Sequence, residues 1–255
     1  MLKERMLISI IIPYYKKKKF ITKTLNSIKN QSYKYFEVII VYDDEDLSDF
    51  YFIKNIIHKD SRFKIYKNLK NKGVSKSRNF AISKSKGHFI SFIDSDDVWN
   101  KDKLKFQLNF MLKNRCLISH TNYNLINTSG NKIGQMNISL VLKHKDLLRS
   151  CDIGTSTVMI NSKIKKLIKF SNIETKEDFV LWLKLSKKHK FFGIQKNLVS
   201  WRKVSNSLSS SLMIKFRDAF LVYFRYEKFN FIKSIFFVLI LSMNYIKKSL
   251  KQKIN

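Results

Sequence analysis

Three aspartates follow directly on a run of apolar and aromatic residues. Residues 89–93 predict a buried strand, and Asp94, Asp96 and Asp97 stand at its end. The chain has 50 Lys plus Arg against 19 Asp plus Glu, so a cluster of acids is unexpected in this composition. Carboxylates at the carboxyl end of a buried strand lie where open α/β sheets bind their ligands. The Asp-x-Asp pair also suits a hard divalent cation that keeps coordination positions open for substrate phosphates.

Acidic and aromatic residues follow two other predicted strands. Residues 36–41 predict a second buried strand, and residues 43–46 then carry four acids in a row. A carboxylate there can accept hydrogen bonds from a base or a ribose, as in dinucleotide folds; a solvated turn is the alternative. Tyr14 and Tyr15 follow the first predicted strand, where a ring could stack on a nucleobase or pack as an ordinary loop residue.

Two further segments carry groups suited to phosphate binding and proton transfer. Residues 71–79 lead from a Gly-containing loop into a predicted helix, where backbone N–H groups point at anions. Arg78 in this segment can make bidentate contacts to phosphate. Glu177 and Asp178 begin an amphipathic helix. Their charge is favourable at a helix N-terminus, and one of the two could serve as a general base if it faces a pocket.

The elements that must position these groups alternate between strands and helices. Strands are predicted at residues 7–12, 36–41, 63–66 and 89–93, and helices at 20–30, 50–58 and 74–85. This alternation predicts an α/β fold with a mostly parallel sheet of βαβ units. Because the strands are apolar throughout, we expect helices to cover both faces of the sheet.

The second half of the chain has a different pattern. Helices are predicted at residues 102–113, 145–150 and 177–188, strands at 117–123 and 157–160, and a turn at 127–134. A Ser-rich loop, residues 205–211, ends this α/β domain. The sequence therefore divides into a domain of residues 1–211 and a helical, basic and aromatic tail of residues 212–255.

The charge of the chain admits three interpretations. The formal net charge is +31 and the pI is about 10.1. Such a balance fits nucleic acid, an anionic membrane surface, or a general enrichment in Lys without a specific partner. The sequence contains no nucleic-acid-binding signature, so no nucleic acid is expected as a partner.

Cysteine usage and hydropathy indicate a cytoplasmic location. Cys116 and Cys151 form no Cys-x-x-Cys motif and predict neither a disulfide framework nor a metal site. The apolar run near the start lacks a small-residue cleavage site, so it predicts a strand rather than a signal peptide. The longest uncharged apolar run, residues 235–246, would span about 18 Å as a helix, against a hydrocarbon core of about 30 Å. No membrane-spanning helix is expected.

Five segments occur in the order and spacing of a known enzyme family. They are residues 9–15, 37–43, 71–79, 87–99 and 177–182. In this order they resemble the family 2 glycosyltransferases of the GT-A fold, over residues 7–209, and the ordered set is far more specific than any one motif. The resemblance implies a GT-A-like, Rossmann-type sheet flanked by helices. It also implies an inverting hexosyltransferase that uses a nucleotide-sugar donor, most often UDP-linked, with Mn²⁺ or Mg²⁺ as cofactor.

The resemblance implies roles for individual residues. Six residues are implied to bind the donor nucleotide: Pro13, Tyr15, Asp43, Arg78, Asp94 and Ser95. Among these, Asp43 is implied to contact the uracil and Asp94 the ribose. Asp96 is implied to meet the metal, and Asp178 to act as the catalytic base.

Three positions depart from the family pattern. Lys16 stands where Asn usually follows the pocket tyrosine, and residues 42–45 keep only the second acid of the usual Asp-Asp-Gly-Ser. Residues 201–204 replace the usual Tyr-Arg-x-His, with Val204 in place of the histidine. Val204 cannot contact a diphosphate or a metal, so Arg202, together with Ser207 and Ser209, becomes the candidate for diphosphate contacts.

The sequence thus predicts a glycosyltransferase of cell-surface polysaccharide assembly, for example of lipopolysaccharide, O-antigen or capsule. A glycan or a lipid-linked molecule is the expected acceptor. The basic, aromatic tail suits a peripheral position on the inner face of the cytoplasmic membrane, although it could instead pack on the body or form a dimer contact. Two alternatives stay open: another nucleotide-handling transferase, such as a nucleotidyltransferase, and an inactive basic membrane-binding module.

Overall fold

The computed structural model describes residues 5–204 and 212–253, which form a ten-stranded sheet covered by helices. The strands are β1 (Ile8–Tyr14), β2 (Phe36–Tyr42), β3 (Phe63–Lys67), β4 (Phe89–Phe92), β5 (Val98–Trp99), β6 (Ile118–Ile126), β7 (Lys132–Met136), β8 (Val141–Leu142), β9 (Met159–Asn161) and β10 (Phe191–Arg202). The α/β class predicted from the alternating pattern is confirmed.

The sheet is parallel in its first half and mixed in its second. The strand order is β3-β2-β1-β4-β9-β6-β10-β5, with β7 paired to β6 and β8 to β10. Strands β1 to β4 run parallel to one another. Strand β9 lies antiparallel between β4 and β6, and β6 and β10 are again parallel. The βαβ units predicted from the sequence therefore account for the half of the sheet that carries the acidic motifs.

Helices follow the strands closely. They are α1 (Lys18–Lys29), α2 (Ser48–Ile57), α3 (Val74–Lys84), α4 (Lys103–Lys113), α5 (His144–Leu147), α6 (Glu177–Ser186), α7 (Leu212–Leu221) and α8 (Phe231–Lys253). Short 3₁₀ turns at Thr155–Thr157 and Ser162–Leu167 flank β9, and a π-helical turn, Val222–Tyr226, follows α7. Each predicted helix is present, with shifted ends.

Neighbouring residues of the central strands belong to two separate cores. Ile11 packs with α3 and α6, whereas Ile10 and Ile12 pack with α1, α2 and α4. Successive side chains of a strand point to opposite faces of a sheet. Helices therefore cover both faces, as the fully apolar strands predict.

Strand β10 is absent from the sequence-based prediction. Its burial alternates irregularly, and its pairing with β6 is interrupted by two register shifts. The irregular pattern explains the miss, because period-2 alternation is the signal of a half-buried strand. The predicted turn at residues 127–134 is too long: the turn ends before β7, which pairs back onto β6 as a hairpin.

The helices after residue 211 share a core with the α/β domain. Ala219, Val222 and Tyr223, together with Val238 and Leu241 of α8, lie in the same hydrophobic cluster as Ile11 of β1 and Phe179 of α6. The predicted domain boundary itself falls in residues 205–211, outside the described residues. Among the helices of the described ranges, none is long and apolar enough to cross a membrane.

We expect Gly87→Ala to destabilise the protein by about 1–3 kcal/mol, the usual cost of overpacking. A Cβ at Gly87 would lie 2.5 Å from the Ser9 nitrogen and 2.8 Å from the Phe89 carbonyl oxygen, and both are backbone atoms of central strands. Urea unfolding measures the change. Gly134→Ala is the matched control, because its Cβ would meet only the Leu125 side chain, at 3.5 Å. Equal effects of the two substitutions would contradict this expectation.

His120 is fully buried on β6, and neither of its ring nitrogens has a hydrogen-bond partner among the described residues. Burial lowers the pKa of His120 to about 4, whereas an unfolded chain has a His pKa of about 6.5. Between these values only the unfolded state binds the proton. Stability is therefore full above pH 6.5 and is lost as the pH falls towards 4, by about 3 kcal/mol. Urea unfolding at several pH values should show this loss in the native chain but not in His120→Leu. A pH-independent difference between the two would be the contrary result.

Candidate active site

The predicted nucleotide and metal residues meet at the carboxyl ends of β1, β2 and β4. The nitrogen of Asp43, just after β2, donates to the Tyr14 carbonyl at the end of β1, 2.9 Å away. The nitrogen of Ile93, just after β4, donates to the Ile11 carbonyl at 3.1 Å. Because these three parallel strands are neighbours, their end loops share one edge of the sheet.

A buried arginine joins two of the acidic segments. The Arg78 guanidinium, only 3% exposed, lies 2.6 Å from Asp94 Oδ1 on one side and 2.6 Å from Glu177 Oε1 on the other. Burial alone would lower the pKa of Arg78, but the two carboxylates outweigh burial and raise it. Burial also raises the pKa of Glu177, to about 6, although Arg78 opposes that rise. Arg78 thus links α3, the end of β4 and the start of α6.

Asp96 carries a lysine contact. Its Oδ2 lies 2.7 Å from Lys17 Nζ, which comes from the loop before α1. Burial raises the pKa of Asp96, and the nearby Asp94 adds to the rise while Lys17 opposes it. The desolvated Asp96 carboxylate therefore accepts a cation from this chain.

Asp97 has a structural place beside the Asp-x-Asp pair. It is fully buried, accepts a hydrogen bond from the Arg202 nitrogen at 2.8 Å and another from the Ser156 hydroxyl. Burial raises its pKa, with further contributions from Asp96 and Asp94. Asp97 fastens the end of β10 to the acidic loop and leaves Asp94 and Asp96 as the two more accessible acids.

The Arg202 guanidinium also binds the acidic loop. Its Nε donates to the Asp96 carbonyl at 2.8 Å, and one terminal nitrogen donates to the carbonyls of Asn127 and Thr128. The residue is 4% exposed. These contacts make Arg202 a support of the acidic loop, and its predicted diphosphate contact stays a prediction. Ser207 and Ser209 lie outside the described residues.

Asp43 organises the loop that enters α3. Its Oδ1 accepts hydrogen bonds from Asn68 Nδ2 and the Lys72 nitrogen, and its Oδ2 accepts one from the Gly73 nitrogen at 2.8 Å. An ionised carboxylate offers about four acceptor positions, so Oδ2 keeps capacity for a further donor. Tyr15, the residue that follows β1, is 43% exposed, and Pro13 is buried within β1.

A cavity of about 280 Å³ opens at the start of α3. It is lined by Gly73, Val74, Ser75, Asn172, Ile173 and Glu174. The Ser75 hydroxyl is buried there and has no hydrogen-bond partner among the described residues. Since the Gly73 nitrogen is bound to Asp43, this cavity adjoins the loop that Asp43 holds.

The predicted base is held by a short turn that also touches the acidic motif. Asp178 Oδ2 accepts a hydrogen bond from the Thr155 hydroxyl at 3.0 Å, and Oδ1 accepts one from the Phe179 nitrogen at 2.7 Å. The next residue along the turn, Ser156, accepts a hydrogen bond from the Asp94 nitrogen at 3.0 Å. Burial raises the pKa of Asp178. The turn therefore sets the candidate base beside the loop of the Asp-x-Asp pair.

The two accessible acids fit a divalent cation. Within residues 5–204 and 212–253 no cluster of three or more metal-ligating side chains occurs. Mg²⁺, however, is usually bound by one or two carboxylates together with substrate phosphates. Asp94 and Asp96 are two hard oxygen donors, and Lys17 already stands against one of them as a cation. The residues present therefore match a metal that is completed by a substrate.

Comparison with known proteins defines the class. The sequence profile of "Glycosyl transferase family 2" matches residues 9–171, more than half of the chain. The chain belongs to this family, and the resemblance drawn from the five segments is confirmed: the protein is a glycosyltransferase.

Curated relatives cover nearly the whole chain. TuaG of Bacillus subtilis, named for teichuronic acid biosynthesis, is 32% identical over 96% of this chain and 98% of its own length. The Escherichia coli enzyme WfgD, named as a UDP-Glc:alpha-D-GlcNAc-diphosphoundecaprenol beta-1,3-glucosyltransferase, is 32% identical over 83% of this chain and 82% of its own.

Solved structures agree on the fold. TarS of S. aureus in complex with UDP-GlcNAc superposes with a TM-score of 0.70 at 20% identity, over 91% of this chain and 70% of the TarS chain. The mannosyltransferase PcManGT of Pyrobaculum calidifontis, in complex with GDP-Man and Mn²⁺, gives a TM-score of 0.67 at 10% identity, over 89% and 66%. At these identities the likeness concerns the fold, and it confirms the predicted GT-A architecture.

Several neighbours of the predicted residues carry no usable sequence signal. Lys17 is one of four consecutive lysines, so the sequence does not single it out. Ser156 and Thr155 lie in a single 3₁₀ turn without a motif. The partner of Arg78, Glu177, is 99 residues away and is found only when α3 and α6 are brought together.

We expect Arg78→Met to destabilise the protein by about 3–5 kcal/mol, because it leaves Glu177 with an unpaired charge at a largely buried position. Arg62→Met is the matched control. Arg62 pairs with Asp60 where the two side chains keep 28% and 18% of their exposure, so the loss of this pair should cost about 1 kcal/mol. Chemical denaturation of both variants checks the contrast, and a cost for Arg78→Met as small as that of the control would refute the buried bridge.

Proposed function

We propose that this glycosyltransferase moves a hexose from a UDP-linked donor to a glycan or lipid-linked acceptor, with inversion at the anomeric carbon, in cell-surface polysaccharide biosynthesis. The observation that carries the proposal is the link from Asp94 through Arg78 to Glu177, which sets the acidic edge next to the neighbouring Asp178. The printed activities of the relatives, a UDP-glucose donor and a diphosphoundecaprenol acceptor, support the same donor and acceptor classes.

The donor nucleotide would lie on the edge formed by β1, β2 and β4. Tyr15 offers a half-exposed ring for stacking on the base. Asp43 Oδ2 offers its remaining acceptor position to an N–H of the base. Asp94 is the most exposed acid of its loop and suits a ribose hydroxyl, with Arg78 fixing its orientation. Pro13 and Ser95 are buried at this edge and would shape it rather than reach far into it.

The cofactor would be Mn²⁺ or Mg²⁺, held by Asp96. When bound, the cation would neutralise charge that develops on the leaving diphosphate. Lys17 stands 2.7 Å from Asp96 and would then be free to pair with a phosphate oxygen. Arg202 would support this arrangement, because its Nε donates a hydrogen bond to the Asp96 carbonyl.

Asp178 would take the proton from the acceptor hydroxyl. Burial raises its pKa, which makes the carboxylate a stronger base, while Thr155 holds one of its oxygens in place. A hydroxyl activated on the side opposite the diphosphate gives a single displacement, in which the new glycosidic bond forms as the bond to the diphosphate breaks. That geometry inverts the anomeric configuration.

The acceptor class sets the proposed location. A lipid-linked acceptor requires the enzyme at a bilayer, so we place it in the cytoplasm and peripherally on the inner face of the cytoplasmic membrane. Residues 1–211 would form the catalytic domain, and residues 212–255 would contribute the membrane-surface association. The high positive charge of the chain supports this assignment.

Asp178→Asn should lower kcat for sugar transfer at least a thousandfold while leaving UDP binding within about twofold, because it removes the base without touching the nucleotide edge. Asp96→Ala should abolish Mn²⁺-dependent UDP binding. Asp60→Asn, which changes a partly exposed acid outside this edge, is the control and should change neither. Transfer assays and calorimetric titration of UDP measure both effects. Full activity of Asp178→Asn would overturn the assignment of the base.

A further inference from the structure

Helix α8 presents apolar side chains on two opposite faces. The inner face packs on the body through Ser234, Val238 and Leu241, which are buried. Near its end, Asn244 Nδ2 donates to the Arg149 carbonyl at 2.9 Å, and Lys248 pairs with Asp152. These contacts fix the rotation of the helix on the protein.

The outer face of α8 is an exposed apolar stripe. Its side chains are between 41% and 80% exposed: Ile232, Ile235, Phe236, Leu239, Met243 and Ile246. The spacing of three and four residues places all six on one side of the helix. Of the four phenylalanines that stand out in the tail sequence, Phe231 and Phe236 are exposed, whereas Phe229 and Phe237 pack against the core.

The stripe continues beyond α8. Phe231 packs against Phe220, which stacks on the half-exposed Phe224 of the π-helical turn. An amphipathic surface helix normally carries polar residues on its outer face, and a helix that is apolar all round is normally covered. A continuous apolar patch on a protein surface marks an interaction site. The outer stripe is therefore a candidate interaction surface.

The charge around the stripe identifies the kind of partner. Residues 212–253 contain two acids, Asp218 and Glu227, against nine Lys and Arg. Asp218 is buried beneath the Thr175 backbone, and the Glu227 side chain is 5% exposed and paired with Lys187. The exposed charges that residues 212–253 themselves contribute are thus positive, while Glu174 and Asp152 of the body pair with Arg217 and Lys248. Lys233 and Lys247 each follow a stripe residue by one position, so they line one border of the stripe.

We infer that the outer stripe of α8, with Phe224, Phe231 and the flanking lysines, docks in the plane of an anionic lipid bilayer. A second copy of the chain would bring the same positive border against this one, whereas acidic lipid headgroups complement it. The helix lies in the interface rather than across the membrane, consistent with the finding that no described helix is suited to span.

A chain of contacts connects the inner face of α8 to the candidate base. The α8 end is bound to the segment 149–152, and Trp182 Nε1 of α6 donates to the next carbonyl, that of Ile153. Two residues further on, Thr155 donates to Asp178. This step rests on the proposed function, because only a lipid-linked acceptor gives the position of the bilayer a catalytic meaning.

Flotation of the full chain with vesicles of equimolar phosphatidylcholine and phosphatidylglycerol tests the docking. The variant Ile232→Ser/Phe236→Ser/Met243→Ser removes three outward side chains and should weaken partitioning at least tenfold. The matched control is Tyr51→Ser/Leu69→Ser/Leu140→Ser, which removes three exposed apolar side chains elsewhere and should partition like the native chain. Unchanged flotation of the stripe variant, or an equal loss in the control, overturns the inference.

A second experiment tests whether docking needs the positive charges beside the stripe. Replacing Lys233 and Lys247 together by Gln should weaken binding to the anionic vesicles about tenfold or more, and the native chain should bind pure phosphatidylcholine far less well. Sedimentation without lipid tests whether a second copy of the chain covers the stripe instead. A native dimer that dissociates in the stripe variant, together with no vesicle binding, would assign the face to a second copy and overturn the docking.

UDP binding separates this inference from the proposed function. In the same preparations, Mn²⁺-dependent thermal protection by UDP reports the donor site. Protection without vesicle binding would refute the docking and leave the donor chemistry standing. Vesicle binding without protection by UDP would leave the docking standing and refute the donor assignment.

Discussion

The guanidinium of Arg78 carries one carboxylate on each side, Asp94 at the end of β4 and Glu177 at the start of α6. A buried arginine is tolerated only when its charge is paired. The pairing obliges α3, β4 and α6 to keep one relative position, although they are spread over a hundred residues of sequence. The acidic loop and Asp178 depend on that position. The 3₁₀ turn adds a second link between them, through Thr155 on one side and Ser156 on the other.

Acids are scarce in this chain, yet three of them lie together in the loop that follows β4. Asp97 binds the backbone nitrogen of Arg202 at the end of β10, and the Arg202 guanidinium strengthens the same junction by donating to the Asp96 carbonyl. This support lets Asp94 and Asp96 remain close together without being fully paired inside the protein. Lys17 relieves part of their repulsion. Folding already holds the Asp94 and Asp96 carboxylates close together, so the loop is preorganised for a cation and a diphosphate.

The sequence could predict the sheet edge because strong local signals mark it. Apolar strands that end on acids locate β2 and β4, and the spacing of the motifs locates α3 and α6. It could not predict β10, whose burial is irregular, or the mixed order of the second half, which depends on long-range pairing. Arg202 shows what the sequence could not predict at the site. An arginine at this position suggests a phosphate contact, but its guanidinium donates to carbonyl groups of residues that are far away in sequence. In α8, apolar residues occur all round, so only packing reveals which of them face outward.

The central claim is that the edge formed by β1, β2 and β4 binds a nucleotide diphosphate together with a divalent cation. Calorimetric titration of UDP into the full chain, once with Mn²⁺ and once with EDTA, tests it most directly. We expect binding with Mn²⁺ that weakens at least tenfold in EDTA, and loss of the metal dependence in a variant that lacks the Asp94 and Asp96 carboxylates. UDP binding that is equally strong in EDTA and in that variant, or no binding under either condition, would contradict it.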